Sequence, residues 1–176
     1  GYTTGLDRLI KSYGIDYTIL ESQSFLFANH PPARGVFSAA VTENGLAALG
    51  KDTGACSDVV HPSTGFYTNA QYLDTANDIG FELGEEVLST LFDVEQGRRA
   101  TGFCYACRNG AQYDAAAASA QAELDADRFI ARRIAVLEEV SGLLDGGEQL
   151  CSVCVLPLTF FGKTWFEGMY WLESVF

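Results

Sequence analysis

The stretch "DAAAASAQAELDADRFIARRIAVLEEVSG", residues 114–142, predicts one long helix. Its first half is rich in alanine, the residue with the highest helix propensity. Apolar residues then recur at spacings of three and four, which places them on one face of a helix. This stripe contains Ala126, Ile130, Ile134, Leu137 and Ser141, beside Phe129, Val136 and Val140. Gly142 is a typical C-terminal stop, so we expect the helix to end there.

The segments on either side of this helix predict shorter elements. Residues 1–15 contain Leu6, Leu9 and Ile10 at helical spacing, and residues 16–45 are rich in β-branched and aromatic residues between turn formers, which favours a pair of strands. Apolar spacing also favours a helix in residues 69–97, although Gly80 and Gly84 weaken the pattern.

Two cysteine-containing segments complete the chain. Residues 50–65, around Cys56, are rich in Gly, Ser and Asp and predict a surface loop. A turn is expected at 145–149, and residues 150–176 are aromatic and apolar, which favours a buried strand followed by a short amphipathic segment. We therefore predict an α+β fold, with a small antiparallel sheet and several helices, including the long helix near residues 114–141. No linker divides residues 1–176, so a single domain is expected.

Composition limits the classes of protein and partner. Of the 176 residues, 48% are hydrophobic and 19% charged, which is typical of a globular chain. The formal net charge of −12 would repel the phosphate backbone of nucleic acids and anionic lipid surfaces. Charged residues interrupt every apolar window long enough to cross a bilayer, so we predict neither a nucleic-acid partner nor a transmembrane helix.

The five cysteines are the main candidates for chemistry. Cys104 and Cys107, like Cys151 and Cys154, have the spacing of ligand pairs in a four-thiolate zinc site. The second pair lacks the turn glycine and polar amides that would support a metal-bound sulfur, so no metal ligand is assigned. A redox pair would need an activated thiol in a βαβ context, which the pattern lacks. A zinc-stabilised or thiol-redox acidic interaction domain remains the alternative function.

Residue types typical of catalysis do not form a recognisable motif in this sequence. His30 and His61 lie beside prolines, without a Ser or Asp at the spacing of a nucleophilic triad. The acidic pairs at 85–86 and 138–139 fit solvated helix faces. We therefore predict that the chain is not an enzyme, and we assign no functional role to residues 1–50.

Three cysteine motifs suggest covalent pigment binding. "GACSDVVHPS" (54–63), "CRNGAQYDAAAASAQAELDADRFIARRIAVL" (107–137) and "EQLCS" (148–152) resemble the attachment sites of red-algal phycoerythrin gamma subunits, which are chromophore-bearing phycobilisome linkers. The resemblance implies bilin attachment at Cys56, Cys107 and Cys151, with Cys104 and Cys154 as possible additional sites.

The same resemblance implies a function and partners. A bilin carries propionates and pyrrole N–H groups, for which Asp125, Asp127, Arg128 and Arg132 on the long helix offer polar contacts; ordinary pairing on the helix surface is the alternative. The implied protein is a light-harvesting linker with covalent phycoerythrobilin or phycourobilin. Its expected partners are phycobiliprotein (phycoerythrin) hexamers and other phycobilisome linkers, on the stromal side of the chloroplast thylakoid membrane.

Overall fold

The computed structural model describes residues 2–93, 97–143 and 149–176. Within these ranges the α-helices are α1 (Leu6–Ser12), α2 (Ser22–Leu26), α3 (Thr53–Val60), α4 (Ile79–Glu82), α5 (Glu85–Leu88), α6 (Ala115–Gly142) and α7 (Gly168–Val175). The strands are β1 (Tyr17–Leu20), β2 (Ala40–Val41) and β3 (Ala47–Gly50). Short 3-10 turns occur at Gly35–Phe37, Phe66–Thr68 and Leu158–Phe160. The predicted α+β class is confirmed.

The three strands form one small sheet in the order β1-β3-β2. β2 pairs antiparallel with β3, as expected for a hairpin. β1 is parallel to β3, with Tyr17 opposite Ala47 and Leu20 opposite Gly50. The sheet is therefore mixed rather than purely antiparallel, because the chain passes through α2 before it returns beside β1.

The long helix α6 lies where the sequence predicts it. Asp114 precedes its first residue, and its carboxylate accepts hydrogen bonds from the backbone N–H groups of Ala116 and Ala117 at 2.9 and 3.2 Å. This is the geometry of an N-cap, which satisfies donors that have no partner inside the helix. Ala118 and Ala122 are fully buried. The alanine-rich half of α6 therefore packs closely against its surroundings.

The predicted surface loop at residues 50–65 is wrong for residues 53–60, where α3 forms. The Asp52 side chain accepts a hydrogen bond from the Ala55 N–H at 2.9 Å, and the Cys56 N–H bonds the Asp52 carbonyl at 3.1 Å. Asp52 thus caps α3. This cap offsets the low helix propensity of Gly54 and its polar neighbours.

The helix predicted over residues 69–97 is also wrong for most of its length. Among its described residues, 69–93 and 97, the α-helices are the four-residue α4 and α5. Asp78 caps α4 through Gly80 N, and Leu73 and Asp78 make isolated antiparallel bridges to Cys107 and Cys104. Tertiary pairing with a distant segment therefore replaces local helix, and residues 94–96 of the predicted helix lie outside the described residues.

The C-terminal segment contains α7 but not the predicted buried strand. Val153 makes only an isolated parallel bridge with Lys51 before the chain reaches α7. The short amphipathic segment predicted near the end corresponds to α7. The turn predicted at 145–149 falls on residues 145–148, which are outside the described residues.

The chain divides into two compact units. Unit one comprises Gly1–Val59 and Phe129–Leu156, and unit two comprises Val60–Arg128 and Pro157–Phe176. In unit one the buried apolar residues include Phe25, Leu46, Ala55, Val59 and Phe129. The single domain expected over residues 1–176 stays a prediction.

Unit two has an aromatic core. The Tyr72 and Trp165 rings lie 5.3 Å apart between centroids, and Trp165 and Trp171 lie 5.4 Å apart. Phe161 stacks on Trp171 at 6.2 Å. None of the described helices combines the length and apolarity that a membrane span requires, in agreement with the sequence.

Candidate functional site

Cys104 and Cys107 belong to unit two and lie in a short bridged segment. Cys107 is buried, and its thiol donates to the Gln71 carbonyl at 3.3 Å. Cys104 is partly buried, and burial raises the pKa of its thiol, helped by nearby Asp78 and Asp74. Both sulfurs therefore sit as packed thiols rather than as exposed nucleophiles.

Cys56, Cys151 and Cys154 belong to unit one. Cys56 is buried in α3, whereas Cys151 and Cys154 are partly exposed. The Cys154 Sγ lies 3.7 Å from the Cys56 Sγ. Burial, with the neighbouring Cys56, raises the pKa of the Cys154 thiol to about 12. The structure thus brings together Cys56 and Cys154, a pair that the sequence spacing did not indicate.

The alternative zinc site does not assemble from the residues that can be placed. Cys104 and Cys107 lie in unit two, whereas Cys151 and Cys154 lie in unit one. Across residues 2–93, 97–143 and 149–176, no group of three or more His, Cys, Asp or Glu side chains is arranged to hold a metal ion. The two CxxC pairs therefore do not define the site.

Asp125 is the centre of a buried polar cluster in unit two. Its Oδ2 accepts hydrogen bonds from the Tyr72 hydroxyl at 2.8 Å and from Asn69 Nδ2 at 3.3 Å. Its Oδ1 accepts from Gln121 Nε2 and Arg128 Nη1, each at 3.0 Å. These four donors satisfy the hydrogen-bonding capacity of a carboxylate that is only 1% exposed. Asp125 therefore stabilises the interior of unit two and is not accessible to a ligand.

The remaining predicted polar residues have different surroundings. Asp127 is exposed on α6. Arg132 Nη1 bonds Asp58 at 3.1 Å. Arg133, which the sequence analysis did not single out, bonds both Asp52 at 2.9 Å and Asp58 at 2.8 Å. Arg132 and Arg133 thus pair with acids on and beside α3, whereas Arg128 with Asp125 is the i,i+3 pair that the helix spacing allows.

An open cleft in unit one is lined by both apolar and polar side chains. It measures about 550 Å³ and is lined by parts of α1, β1 and α2. Tyr2 and Ile19 supply apolar surface, while Glu21, Lys51 and Gln23 supply polar groups. Lys51 Nζ and Glu21 Oε1 are paired at 3.2 Å along this lining. Pockets of this size that combine apolar walls with a few polar groups are typical of small-molecule sites.

A second cleft of about 580 Å³ shares Tyr2 with the first. Its lining includes Asp7, Arg8, Glu43 and Asn44. Asn44 Nδ2 donates to Asp7 Oδ2 at 3.0 Å, and this bond, with that of Thr42, lowers the pKa of Asp7 to about 2. Asp7 is therefore ionised at neutral pH and cannot be the acid that protonates a leaving group there.

Tyr2 thus lines both clefts. We call the two clefts together the Tyr2 site. Burial and the Asp7 and Glu43 carboxylates raise the pKa of the Tyr2 hydroxyl, so it stays protonated and can donate or accept hydrogen bonds. An aromatic ring with carboxylates, an amide and cations on both sides can stack on an apolar ligand face and bond its hydroxyl groups. The sequence analysis missed this site, because its residues are dispersed between 2 and 51, with Val155 added from far along the chain, and form no local motif.

The sequence itself matches no family model and no curated protein. The fold, however, is similar to solved structures. The crystal structure of the alpha-amylase AmyC from Thermotoga maritima matches 100% of this chain with a TM-score of 0.88 and 25% identity. The chain spans 35% of that protein.

Two branching enzymes share the fold at lower identity. The GH57-type branching enzyme from Pyrococcus horikoshii matches 99% of this chain with a TM-score of 0.73 and 19% identity, over 28% of its own length. A GH57 branching enzyme from Thermococcus kodakaraensis, solved in complex with glucose, matches 99% with a TM-score of 0.73 and 16% identity, over 32% of its own length. The chain therefore spans about a third of the proteins whose fold it shares.

These similarities correct the functional predictions. The resemblance to phycoerythrin gamma subunits and the role as a phycobilisome light-harvesting linker are wrong, because the shared fold is that of an alpha-amylase and branching enzymes. The prediction that the chain is not an enzyme is contradicted by the same structures. The chloroplast thylakoid location fails with the resemblance, since those proteins come from thermophilic microbes.

The predicted bilin attachment sites and bilin cofactors stay predictions. Bilin attachment at Cys56, Cys107 or Cys151, with Cys104 and Cys154 as additional sites, is untested, as is phycoerythrobilin or phycourobilin as the cofactor. These predictions came from the resemblance that the fold contradicts. The expected phycobiliprotein and linker partners came from the same resemblance, and nothing in the structure supports them.

Proposed function

We propose that this chain binds α-linked glucans, as part of a protein of the alpha-amylase and branching-enzyme kind. The observation that carries the proposal is the match to the alpha-amylase AmyC over the whole chain, with a TM-score of 0.88. The solved branching enzyme that contains glucose supports the same ligand class.

The Tyr2 site supports the proposal chemically. A pyranose ring has an apolar C–H face and a rim of hydroxyl groups, so it suits an aromatic side chain surrounded by carboxylates and amides. Tyr2 supplies the ring, and Glu21, Gln23 and Asn44 supply polar groups on its two sides. Clefts of about 550 and 580 Å³ are each within the range for a ligand of a few sugar units.

Neither Asp7 nor Asp125 has the properties of the acid of a glycoside hydrolase. Glycoside hydrolysis uses one carboxylic acid and one carboxylate on either side of the scissile bond. Asp7 is ionised and hydrogen bonded, and Asp125 is enclosed by its partners. The proposal therefore assigns a glucan-binding surface to this chain and leaves the catalytic pair unassigned.

Affinity electrophoresis tests the proposal with a matched pair of variants. The chain is run through gels with and without amylopectin, with cellulose-derived oligosaccharides as competitors. We expect amylopectin to retard the chain and Tyr2→Ala to lower the affinity about tenfold, which corresponds to 1.4 kcal/mol of lost contact. Tyr13→Ala is the control, because Tyr13 is an exposed tyrosine of the same unit that lines neither cleft.

Three results decide the matter. Retardation that Tyr2→Ala weakens and Tyr13→Ala does not supports the Tyr2 site. Equal retardation of wild type, Tyr2→Ala and Tyr13→Ala supports glucan binding but rejects the Tyr2 site as the place where it occurs. No retardation by amylopectin, glycogen or soluble starch, from a chain that circular dichroism shows to be folded, rejects the proposed function.

A further inference from the structure

A buried thiol, Cys56, and a partly exposed one, Cys154, lie next to each other in unit one although 97 residues separate them in the chain. Cys56 is in the first turn of α3, and Cys154 is in the segment that precedes residue 157. Their Sγ atoms are 3.7 Å apart. A disulfide bond is about 2 Å long, so only small side-chain and backbone adjustments are needed to bring the sulfurs together.

The backbone around the pair holds the two segments in register. Asp52 N donates to the Val153 carbonyl at 2.9 Å, and Val153 forms a parallel bridge with Lys51. The Cys56 thiol donates to the Val155 carbonyl and accepts from Val155 N–H, each at 3.4 Å. These contacts flank Cys154 on both sides, so the approach of the two sulfurs does not depend on the rotation of one free side chain.

Side chains at the same junction reinforce this alignment. Ser152 Oγ donates to Asp52 Oδ2 at 2.6 Å, and Arg133 bonds the same carboxylate at 2.9 Å. Asp52 therefore joins the start of α3, the segment containing Cys154 and helix α6 within unit one. A pair held in this way has a high effective concentration for intramolecular reaction.

We propose that Cys56 and Cys154 form a reversible intramolecular disulfide when the folded chain meets a low-molecular-weight disulfide such as oxidised glutathione. The Cys154 thiol, the more exposed of the two, loses its proton, and its thiolate attacks the small disulfide; this forms a mixed disulfide and releases one small thiol. Cys56 then loses its proton and attacks the Cys154 sulfur, which forms the protein disulfide and releases the second small thiol. The two protein thiols are oxidised by two electrons, and the small disulfide is reduced to two thiols.

The chemistry of the site sets the rate of the first step. The groups that face Cys154 are Cys56 and Asp52, which raise the pKa of its thiol along with burial, and Arg133, which lowers it. Because little thiolate is present at neutral pH, bridge formation should accelerate about tenfold per pH unit between about pH 7 and pH 9. Once formed, the bridge closes a long loop and should raise the midpoint of thermal unfolding by several degrees.

The test compares the reduced full chain before and after incubation with oxidised glutathione. We expect the intact mass to fall by two hydrogen atoms and two thiols to disappear from the count under denaturing conditions. Peptide mapping without reduction should yield one linked pair that contains Cys56 and Cys154. Cys56→Ser and Cys154→Ser should each abolish the bridge, whereas Cys151→Ser should retain it, since Cys151 is the nearby partly exposed cysteine without this contact.

Each other result overturns the proposal. A linked peptide that joins Cys154 to Cys151, or a bridge that survives Cys56→Ser, assigns the reaction to other thiols. A stable glutathione adduct on Cys154 shows that Cys56 does not complete the second step. An unchanged mass in the native wild-type chain, at a glutathione potential that oxidises the urea-unfolded chain, shows that the fold prevents the bridge. Peptide mapping of the wild type decides the case even if a serine variant fails to fold.

Discussion

The buried carboxylate of Asp125 depends on each of its hydrogen-bond partners. Tyr72→Phe removes only the hydroxyl that donates to Asp125 at 2.8 Å, and it leaves the ring beside Trp165. Loss of one partner from a buried charge should lower the free energy of unfolding by about 1–3 kcal/mol. Urea denaturation followed by tryptophan fluorescence measures this change.

A control on the same helix separates the cluster from general effects of charge. Asp127→Asn alters an exposed carboxylate of α6 and should change the free energy of unfolding by less than about 0.5 kcal/mol. If Tyr72→Phe proves as neutral as Asp127→Asn, the Asp125 cluster does not stabilise unit two.

Asp78 should make the stability of the chain depend on pH in the acid range. Its carboxylate accepts hydrogen bonds from Thr101 N, Gly80 N, the Thr101 hydroxyl and Gly102 N, which lower its pKa from 3.8 to about 2. Because the folded pKa is below the unfolded value, this contribution is complete above about pH 4 and is lost as the pH falls through about 2.

The comparison of wild type with Asp78→Asn isolates this effect from other acids. The wild type should be the more stable chain at about pH 5, and the difference in the free energy of unfolding should shrink as the pH approaches about 2. Guanidinium denaturation at a series of pH values gives the difference directly. A difference that stays constant over this range would show that Asp78 does not titrate with a lowered pKa.

Single residues also show the limit of inference from local sequence. The pair Asp125 and Arg128 is visible in the sequence, because a spacing of three on a predicted helix brings the side chains together. The contacts of Asp125 with Asn69 and Tyr72 span 56 and 53 residues, so no local pattern contains them. For the same reason, spacing suggested Cys151 beside Cys154, whereas the fold places Cys56 there.

Among the elements, the packing of the alanine-rich face of α6 can be tested with two leucine variants. Ala122 is fully buried, so Ala122→Leu adds volume where none is free and should cost about 1–3 kcal/mol. Ala120→Leu is the matched control, since Ala120 is exposed on the same helix and leucine has a similar helix propensity. Thermal or urea unfolding of the two variants should separate them, and equal stability would contradict close packing of this face.

The elements differ in how much local sequence determines them. α6 was predictable because alanine propensity, apolar spacing and a terminal glycine agree over 29 residues. α3 was missed because glycine and serine suggested a loop, although Asp52, directly before Thr53, is a typical N-cap residue. The predicted helix at 69–97 failed because Asp78 and its neighbours bond to residues 101–107, which apolar spacing does not report.

For the whole molecule, the class was predictable and the function was not. Alternation of helical and extended patterns gave the α+β class correctly. The three cysteine motifs were short, and their resemblance to bilin attachment sites carried no information on how the chain folds. The Tyr2 site combines residues from α1, β1, α2 and the β2–β3 hairpin, so it appears only once these elements are assembled.

Unit one exposes several large apolar side chains. Large apolar residues of unit one that are exposed include Leu9, Tyr13, Ile15, Tyr17 and Ile19. Single exposed apolar side chains are common on folded proteins, so these residues by themselves assign no interaction site. The proposal for the whole molecule therefore rests on glucan binding, which can be measured.

Isothermal titration calorimetry of the folded chain with maltoheptaose is the most direct test of glucan binding. We predict saturable binding to this α-linked oligosaccharide and none to cellohexaose, a β-linked oligosaccharide of similar length. The Tyr13→Ala chain should bind like wild type, and the Tyr2→Ala chain should bind about tenfold more weakly. The absence of a heat of binding with maltoheptaose at several millimolar, or equal binding of both oligosaccharides, would contradict selective binding of α-linked glucans.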